Sequence, residues 1–265
     1  CICDAIMDMV SVRLSQEYLK KAGVILHHNI DKSLLAAGEA ETRFGGGIIK
    51  KPMLLIFGDR ATFEACQVKI PVEDIAIQTA KQWLKENLRF VDPQNHVRYQ
   101  VELKPGHPEL MDIFQRKGRV LGANDTSAAV GYAPMTRTEQ IVLKTEKFLN
   151  SQGFKKRFPE SGEDIKVMAF RKNNGLRLTI SMALVDRFVD SESDYFRKKS
   201  ELSEEISRFV KENADFEKGN IDLNTLDVKG RGIGGVYLTV LGTSAEAGDS
   251  GQVGRGNRTN GVIPL

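Results

Sequence analysis

The chain has little cysteine and little histidine, with three Cys and four His in 265 residues. Cys1, Cys3 and Cys66 cannot pair completely and no CxxC occurs, so a disulfide scaffold and a zinc finger are both poorly supported. A run of about 18 apolar residues, the minimum for a membrane span, is missing. The first 20 residues are charged and amphipathic throughout, unlike a secretory signal. Excess charge of one sign is also lacking: 38 Lys and Arg stand against 35 Asp and Glu, a formal +3, too mild to point to nucleic acid. No GxxxxGK[ST] segment exists, which removes the P-loop NTPases. What is present is ordinary: 41% hydrophobic and 28% charged residues. The sequence reads as a soluble, cytoplasmic globular protein of one large or two smaller domains, at roughly 150 residues per domain.

Apolar spacing places the elements. Ile2, Ile6, Met9, Val10, Leu14 and Tyr18 recur at helical steps until Gly23. Val24 to Leu26 reads as the start of a short strand, followed by the polar cluster His27 to Lys32, a second apolar run and the Gly45-Gly46-Gly47 turn. Pro52 to Phe57 reads as a buried strand, Val72 to Leu88 as an amphipathic helix and Val97 to Leu103 as an alternating strand. Thr136-Arg137-Thr138-Glu139 is a capping box opening a helix to about Leu149. Asp164 to Phe170 and Leu176 to Leu184 form a hairpin through Asn174-Gly175. A charged helix over about Ser193 to Asn213 and a strand over Val236 to Leu241 complete a mixed α/β chain with antiparallel pairs. Cys1 opens a helix already running, and Ile263-Pro264-Leu265 ends the chain just after a Gly- and Arg-rich stretch, so both ends look cut.

Several segments carry candidate chemistry, each with a plain alternative. Gly230 to Gly235 fits GxGxxG, but a strand follows where a dinucleotide site needs a helix, so it reads as a loop. His27 and His28 are neighbours on an extended segment and point to opposite faces, so at most one faces a site. Gly248 to Arg258 interleaves glycines with Asp249, Arg255 and amides. Such a loop can cradle an anion against backbone N–H groups, or be a flexible terminus. Asp125 lies among small residues in Leu121 to Pro134, as a ligand loop or as an Asx turn. Asp164 and Lys166 share a strand face, as a surface salt bridge or as a phosphate-binding lysine oriented by its neighbour.

Together, ICDAIMD, ILHHNIDK, RFGGG, GRVLGANDTSAAVGYAP, GEDIKVM and GTSAEAGDSGQVGRGNRTNG run in order along nearly the entire chain. In this the sequence resembles the S-adenosylmethionine synthetases (methionine adenosyltransferases), nearest to their archaeal type. The resemblance implies an α+β fold of three related α/β units around a pseudo-threefold axis, the third unit incomplete here. The expected division is 1–106 plus 245–265 as a discontinuous central unit, 107–135 as part of the third unit, and 136–244 as the N-terminal-type unit. It further implies a homodimer or a dimer of dimers with interface active sites, ATP and L-methionine as substrates, and Mg2+ and K+ as cofactors.

By the same resemblance, Lys166 and Arg255 are the catalytic cations that hold the phosphate chain, with Asp164 an ATP contact. Asp249 faces both the methionine ammonium group and the nucleotide, and Asp125 belongs to the methionine-associated loop. Glu39, after Gly38, aligns with a potassium ligand of bacterial members. Leu241 falls where those members place an aromatic against adenine, leaving the base to another residue or to apolar contact. The family's Gly-His-Pro-Asp motif would precede Cys1, and a further phosphate-binding segment would follow Leu265. Gly106-His107-Pro108-Glu109 looks like that motif but aligns elsewhere, so no catalytic role passes to His107. A truncated, non-catalytic homologue that binds nucleotide or a partner subunit, and a kinase that would leave ADP, are the alternatives.

Overall fold

The computed structural model describes residues 2–65, 67–109, 112, 132–173, 175–214 and 218–253. Among the described residues, helices run over Ile2–Ala22 (α1), Val72–Asn87 (α2), Arg137–Leu149 (α3), Gln152–Arg157 (α4) and Glu192–Asn213 (α5). The strands are His28–Ala36 (β1), Glu39–Glu41 (β2), Ile48–Lys51 (β3), Met53–Ala61 (β4), Glu64–Ala65 (β5), Val68–Lys69 (β6), Val97–Val101 (β7), Lys104–Pro105 (β8), Ser161–Lys172 (β9), Gly175–Val185 (β10), Lys218–Leu223 (β11), Leu238–Thr239 (β12) and Gly251–Val253 (β13).

The two halves repeat one plan. In the first, α1 leads into β1, β4 pairs antiparallel with it, and α2 crosses over to β7, which lies parallel to β4. In the second, α3 and α4 lead into β9, β10 pairs antiparallel with it, and α5 crosses over to β11, parallel to β10. Parallel neighbours cannot be joined by a tight turn, so each half needs its crossover helix. The helices cover one sheet face, and each half holds its own core. Ile6, Leu14, Tyr18, Leu55, Phe57 and Leu84 lead one, while Leu149, Leu178, Tyr195, Leu202 and Ile206 lead the other. The chain then returns to the first half: Val240, Leu241, Ala245 and Val253 pack into its core, and β13 pairs with β1.

Local chemistry explains most element ends. α1 stops at Gly23, whose φ of +72° suits glycine. Thr136 caps α3 through the capping box, and Ser191 caps α5. The expected face of α1 needs one exchange, because Met9 is exposed while Cys3 and Met7 join the buried stripe. The strand expected at Val24 to Leu26 begins only at His28, so the polar cluster lies inside the strand. His28 there accepts its place from two contacts, Nδ1 with Leu26 O and Nε2 with Ser11 Oγ, both at 2.9 Å. Of the strand expected over Val236 to Leu241 only Leu238–Thr239 pairs, with Leu184 and Val185 of β10. From Val240 onward the backbone donors turn to a side chain instead.

A polar knot fixes that last segment in the second half. Tyr195 donates to Asp227 Oδ2 at 2.8 Å and accepts from Asn224 Nδ2 at 3.1 Å and from the Tyr237 amide at 3.2 Å. Lys199 also reaches Asp227 at 2.7 Å. Removing the hydroxyl leaves these donors unsatisfied, so Tyr195→Phe is expected to cost about 1–3 kcal/mol in denaturant melts. Tyr132→Phe at an exposed phenol should stay within about 0.5 kcal/mol.

Candidate functional site

The candidate residues that can be described gather where the two halves meet, around the turn from Val240 to Ala247. Gly162, at the start of β9, lies against Gly242: a Cβ on Gly162 would sit 2.6 Å from Gly242 O and 2.8 Å from Gly242 Cα. Gly242 itself has φ +79°, a conformation that favours glycine. This contact lets β9 and the turn exchange bonds. The Asp164 amide donates to Gly242 O at 3.1 Å, and Asp164 Oδ2 accepts from the Ser244 amide at 2.9 Å and from Ser244 Oγ at 2.6 Å. Lys166, two residues on, stands exposed on the same strand face. Asp249 is exposed just past the turn.

Tyr237 belongs to the same group, although no motif marked it. Burial pushes its phenol up to about 12, and the charges of Asp164, Asp249 and Glu246 push in the same direction. Glu39 approaches from the first half. The Gly38 amide donates to Ala245 O at 3.0 Å, and a Cβ on Gly38 would meet Lys51 O at 2.5 Å and Glu246 O at 2.9 Å. The structure thus brings Glu39, Asp164, Lys166 and Asp249 to one region, whereas Asp125 and Arg255 lie outside the described residues. His107 is exposed, 3.9 Å from Glu109.

Two buried carboxylates brace the turn and its neighbour, and sequence reasoning missed both. Glu246 accepts from the Val240 amide at 2.6 Å and the Leu241 amide at 2.5 Å, which is why β12 stops short. Asp186 Oδ2 accepts from the Gly47 amide at 2.7 Å and the Arg43 amide at 3.4 Å, tying the turn between β2 and β3 to the end of β10. Burial pushes both carboxyl groups up, Glu246 to about 7, with the Asp186 charge adding to that shift. The only advance signal was a glutamate inside an otherwise small and apolar turn.

A cleft of about 450 Å³ opens between the halves beside this turn. Ile48, Ile49, Pro52, Val240 and Leu241 give it an apolar wall, and Asn95, His96 and Arg187 its polar groups. Its lining sets an apolar wall beside a polar edge. A metal cage is a different matter. Among the described residues no three His, Cys, Asp or Glu side chains come together. Glu39 is exposed and bonded to Lys51 at 3.1 Å, so a lysine ammonium already sits on its carboxylate. These residues do not by themselves fit a potassium or magnesium site.

Comparisons with known proteins agree on one family. The sequence model described as S-adenosylmethionine synthetase (AdoMet synthetase) matches residues 1–265. The chain is 46% identical over 268 residues to the probable S-adenosylmethionine synthase of Aquifex aeolicus, covering 99% of this chain and 66% of that protein. It is 46% identical over 264 residues to the S-adenosylmethionine synthase of Pyrococcus furiosus, covering 99% of this chain and 65% of that one. The chain therefore spans about two thirds of the length of these relatives. In fold it is similar to an unusual S-adenosylmethionine synthetase from Campylobacter jejuni, with TM-score 0.54 at 15% identity, covering all of this chain and 63% of the other.

The Glu246 brace carries a pH signature. Its folded pKa, about 7, lies above the ordinary 4.5, so the unfolded chain releases this proton first. Stability from this group therefore falls as pH rises from about 4.5 through about 7 and is flat above. Glu246→Gln is expected to reduce the stability difference between about pH 5 and pH 8 by about 1–3 kcal/mol, read from denaturant melts at both values.

Proposed function

Since this chain belongs to the S-adenosylmethionine synthetase family, we propose that it forms S-adenosylmethionine from ATP and L-methionine. The observation that carries the reading is the arrangement at the turn: Asp164 clamped by Ser244, Lys166 on the same strand face, and Asp249 just beyond. The methionine sulfur attacks C5′ of the ribose, the C–O bond to the triphosphate breaks, and the triphosphate leaves with the bonding pair. It is then hydrolysed to pyrophosphate and phosphate. An anion of such charge needs fixed cations more than it needs a proton donor.

Each residue then takes a role by its chemistry. The exposed Lys166 ammonium is a point charge for the phosphate chain, and Arg255 supplies a planar fork of donors. Asp249 accepts from the methionine ammonium group, and Asp125 is assigned to the methionine loop. The two Ser244 donors keep Asp164 in one orientation beside the nucleotide. The apolar wall of Ile49, Pro52, Val240 and Leu241 suits adenine by contact, in place of an aromatic stack. Mg2+ would enter with the nucleotide, held mainly by phosphate and water oxygens. Glu39 with its Lys51 partner does not complete a K+ site, and no step rests on that ion.

A homodimer with shared active sites fits the open sheet face of the second half. Met168 and Phe170, 64% and 63% exposed, stand in line with Lys166 on β9. Two large apolar side chains at that exposure on a flat sheet favour burial against a second copy. Phe170→Glu is expected to shift the sedimentation coefficient toward monomer, and a chain already monomeric in the parent would remove this assembly.

The activity itself is tested by incubating the protein with ATP, methionine, Mg2+ and K+. S-adenosylmethionine, pyrophosphate and phosphate are the expected products, and ADP would instead indicate phosphoryl transfer. Asp249→Asn should lower turnover at least about a hundredfold, the scale of losing a charged contact in the reacting complex. Its melting temperature should change little, because the carboxylate is exposed. Equal loss of activity and stability would remove Asp249 from the site, and no product from a folded parent would favour a non-catalytic homologue.

A further inference from the structure

The start of β9 leaves its ladder. Ser161 pairs with Leu184 and Ile165 with Met182, so three residues, Gly162, Glu163 and Asp164, stand opposite Ala183 alone. A bulge of this kind re-aims a side chain, and its backbone groups must find partners outside the sheet. The Asp164 amide finds Gly242 O. The carbonyls on the other side find Lys155. This lysine of α4 is only 6% exposed, and its Nζ donates to Gly162 O at 2.6 Å and lies 3.4 Å from both Ser161 O and Ser161 Oγ. Arg89, following α2 in the first half, grips the same stretch. It donates to Ser161 O at 2.5 Å and to Lys155 O at 3.5 Å and pairs with Glu163.

We propose that Lys155 is a positioning residue for Asp164: with Arg89 it replaces the ladder bonds that the bulge gives up, and so fixes the direction in which the Asp164 carboxylate leaves the strand. The inference rests on the nucleotide reading of Asp164 only for its consequence, not for its geometry. Burying an ammonium in this way is costly unless every donor is used, and a methionine of similar length would pack as well. The lysine is therefore explained by what it holds. The groups facing it are Glu163 of β9, Arg89 and Glu146 of α3. Its burial draws its pKa down to about 7, so a neutral amine with one donor fewer takes over in mildly basic solution.

Amide hydrogen exchange tests the geometry, and Mg·ATP binding tests its consequence. In Lys155→Met, protection over 161–165 and 242–247 should fall about tenfold, while α1 and α2 keep theirs. Mg·ATP affinity should fall by about the same factor, and Lys155→Met should add nothing further in an Asp164→Asn background. If the variant folds poorly, the parent protein carries the same test. Between about pH 6 and pH 8.5, exchange corrected for its intrinsic pH dependence should loosen at 161–165 relative to α2. Unchanged protection at 161–165, loss spread evenly over the second half, or additive effects of the two substitutions would overturn the proposal. A parent that binds no Mg·ATP would remove the nucleotide reading, and the exchange data would still decide the role of Lys155.

Discussion

The contact between Gly162 and Gly242 is the constraint on which the site depends. Two backbones can approach this closely only where neither carries a Cβ. Their approach lets the Asp164 amide reach Gly242 O and the Asp164 carboxylate reach Ser244. Any side chain at 162 would push the strand from the turn and break all three bonds together. The same closeness forces the bulge in β9, because the strand must leave its partner to meet the turn. The bulge in turn creates the need for inward-facing donors. One steric fact thus sets the position of an acidic side chain and the departure of β9 from its ladder.

The buried charged groups have a common logic. Glu246 holds the amides of Val240 and Leu241, Asp186 those of Gly47 and Arg43, and Lys155 the carbonyls of Ser161 and Gly162. Each occupies a place where the backbone has left helix or sheet and still lies away from water. A buried amide or carbonyl without a partner costs about 1–3 kcal/mol, which a well-placed side chain avoids. Charged side chains are strong partners and can hold two backbone groups at once. The burial that makes them effective also moves Glu246 and Lys155 toward neutrality, each to about 7. Irregular backbone between the halves and titratable braces near neutral pH therefore have one cause.

Much of the fold was legible in the sequence, for reasons that can be stated. The α3 capping box, the helical stripe of α2, the long β9–β10 pair and the helix closing the second half all follow from local patterns of side chains. The parts that failed are those set by distant contacts. His27 to Lys32 reads in sequence as a polar cluster following a strand at Val24 to Leu26, but the strand starts at His28, where β4 and α1 supply its partners. Val236 to Leu241 looked like a strand by composition, and a glutamate five residues further on takes its amides instead. Asp164, Lys166, Asp249 and Glu39 were marked by the resemblance and are near one another in space. Lys155, Glu246, Asp186 and Tyr237 carried no such mark, because nothing about a lone lysine, aspartate or tyrosine in sequence tells which backbone group it will face.

The repeat of one plan in both halves explains why the candidate site lies between them. Each half is a small sheet with helices on one face and a core of its own, the first completed by the returning segment from Val240 to Val253. The cleft takes Ile48, Ile49, Pro52, Asn95 and His96 from the first half, Arg187 from the end of β10, and Val240 and Leu241 from the segment that returns to the first half. A sheet covered on one face leaves the opposite face for contact, and the second half presents Lys166, Met168 and Phe170 there in alternation. If Lys166 meets phosphate as proposed, its place in line with exposed apolar residues is a poor one in an isolated chain, since water would screen the charge it offers. Covering that face with a second copy would both bury the apolar pair and lower the dielectric around the lysine. On the proposed reading, the step that buries Met168 and Phe170 would also strengthen the Lys166 charge, and association and phosphate binding would be coupled through one strand.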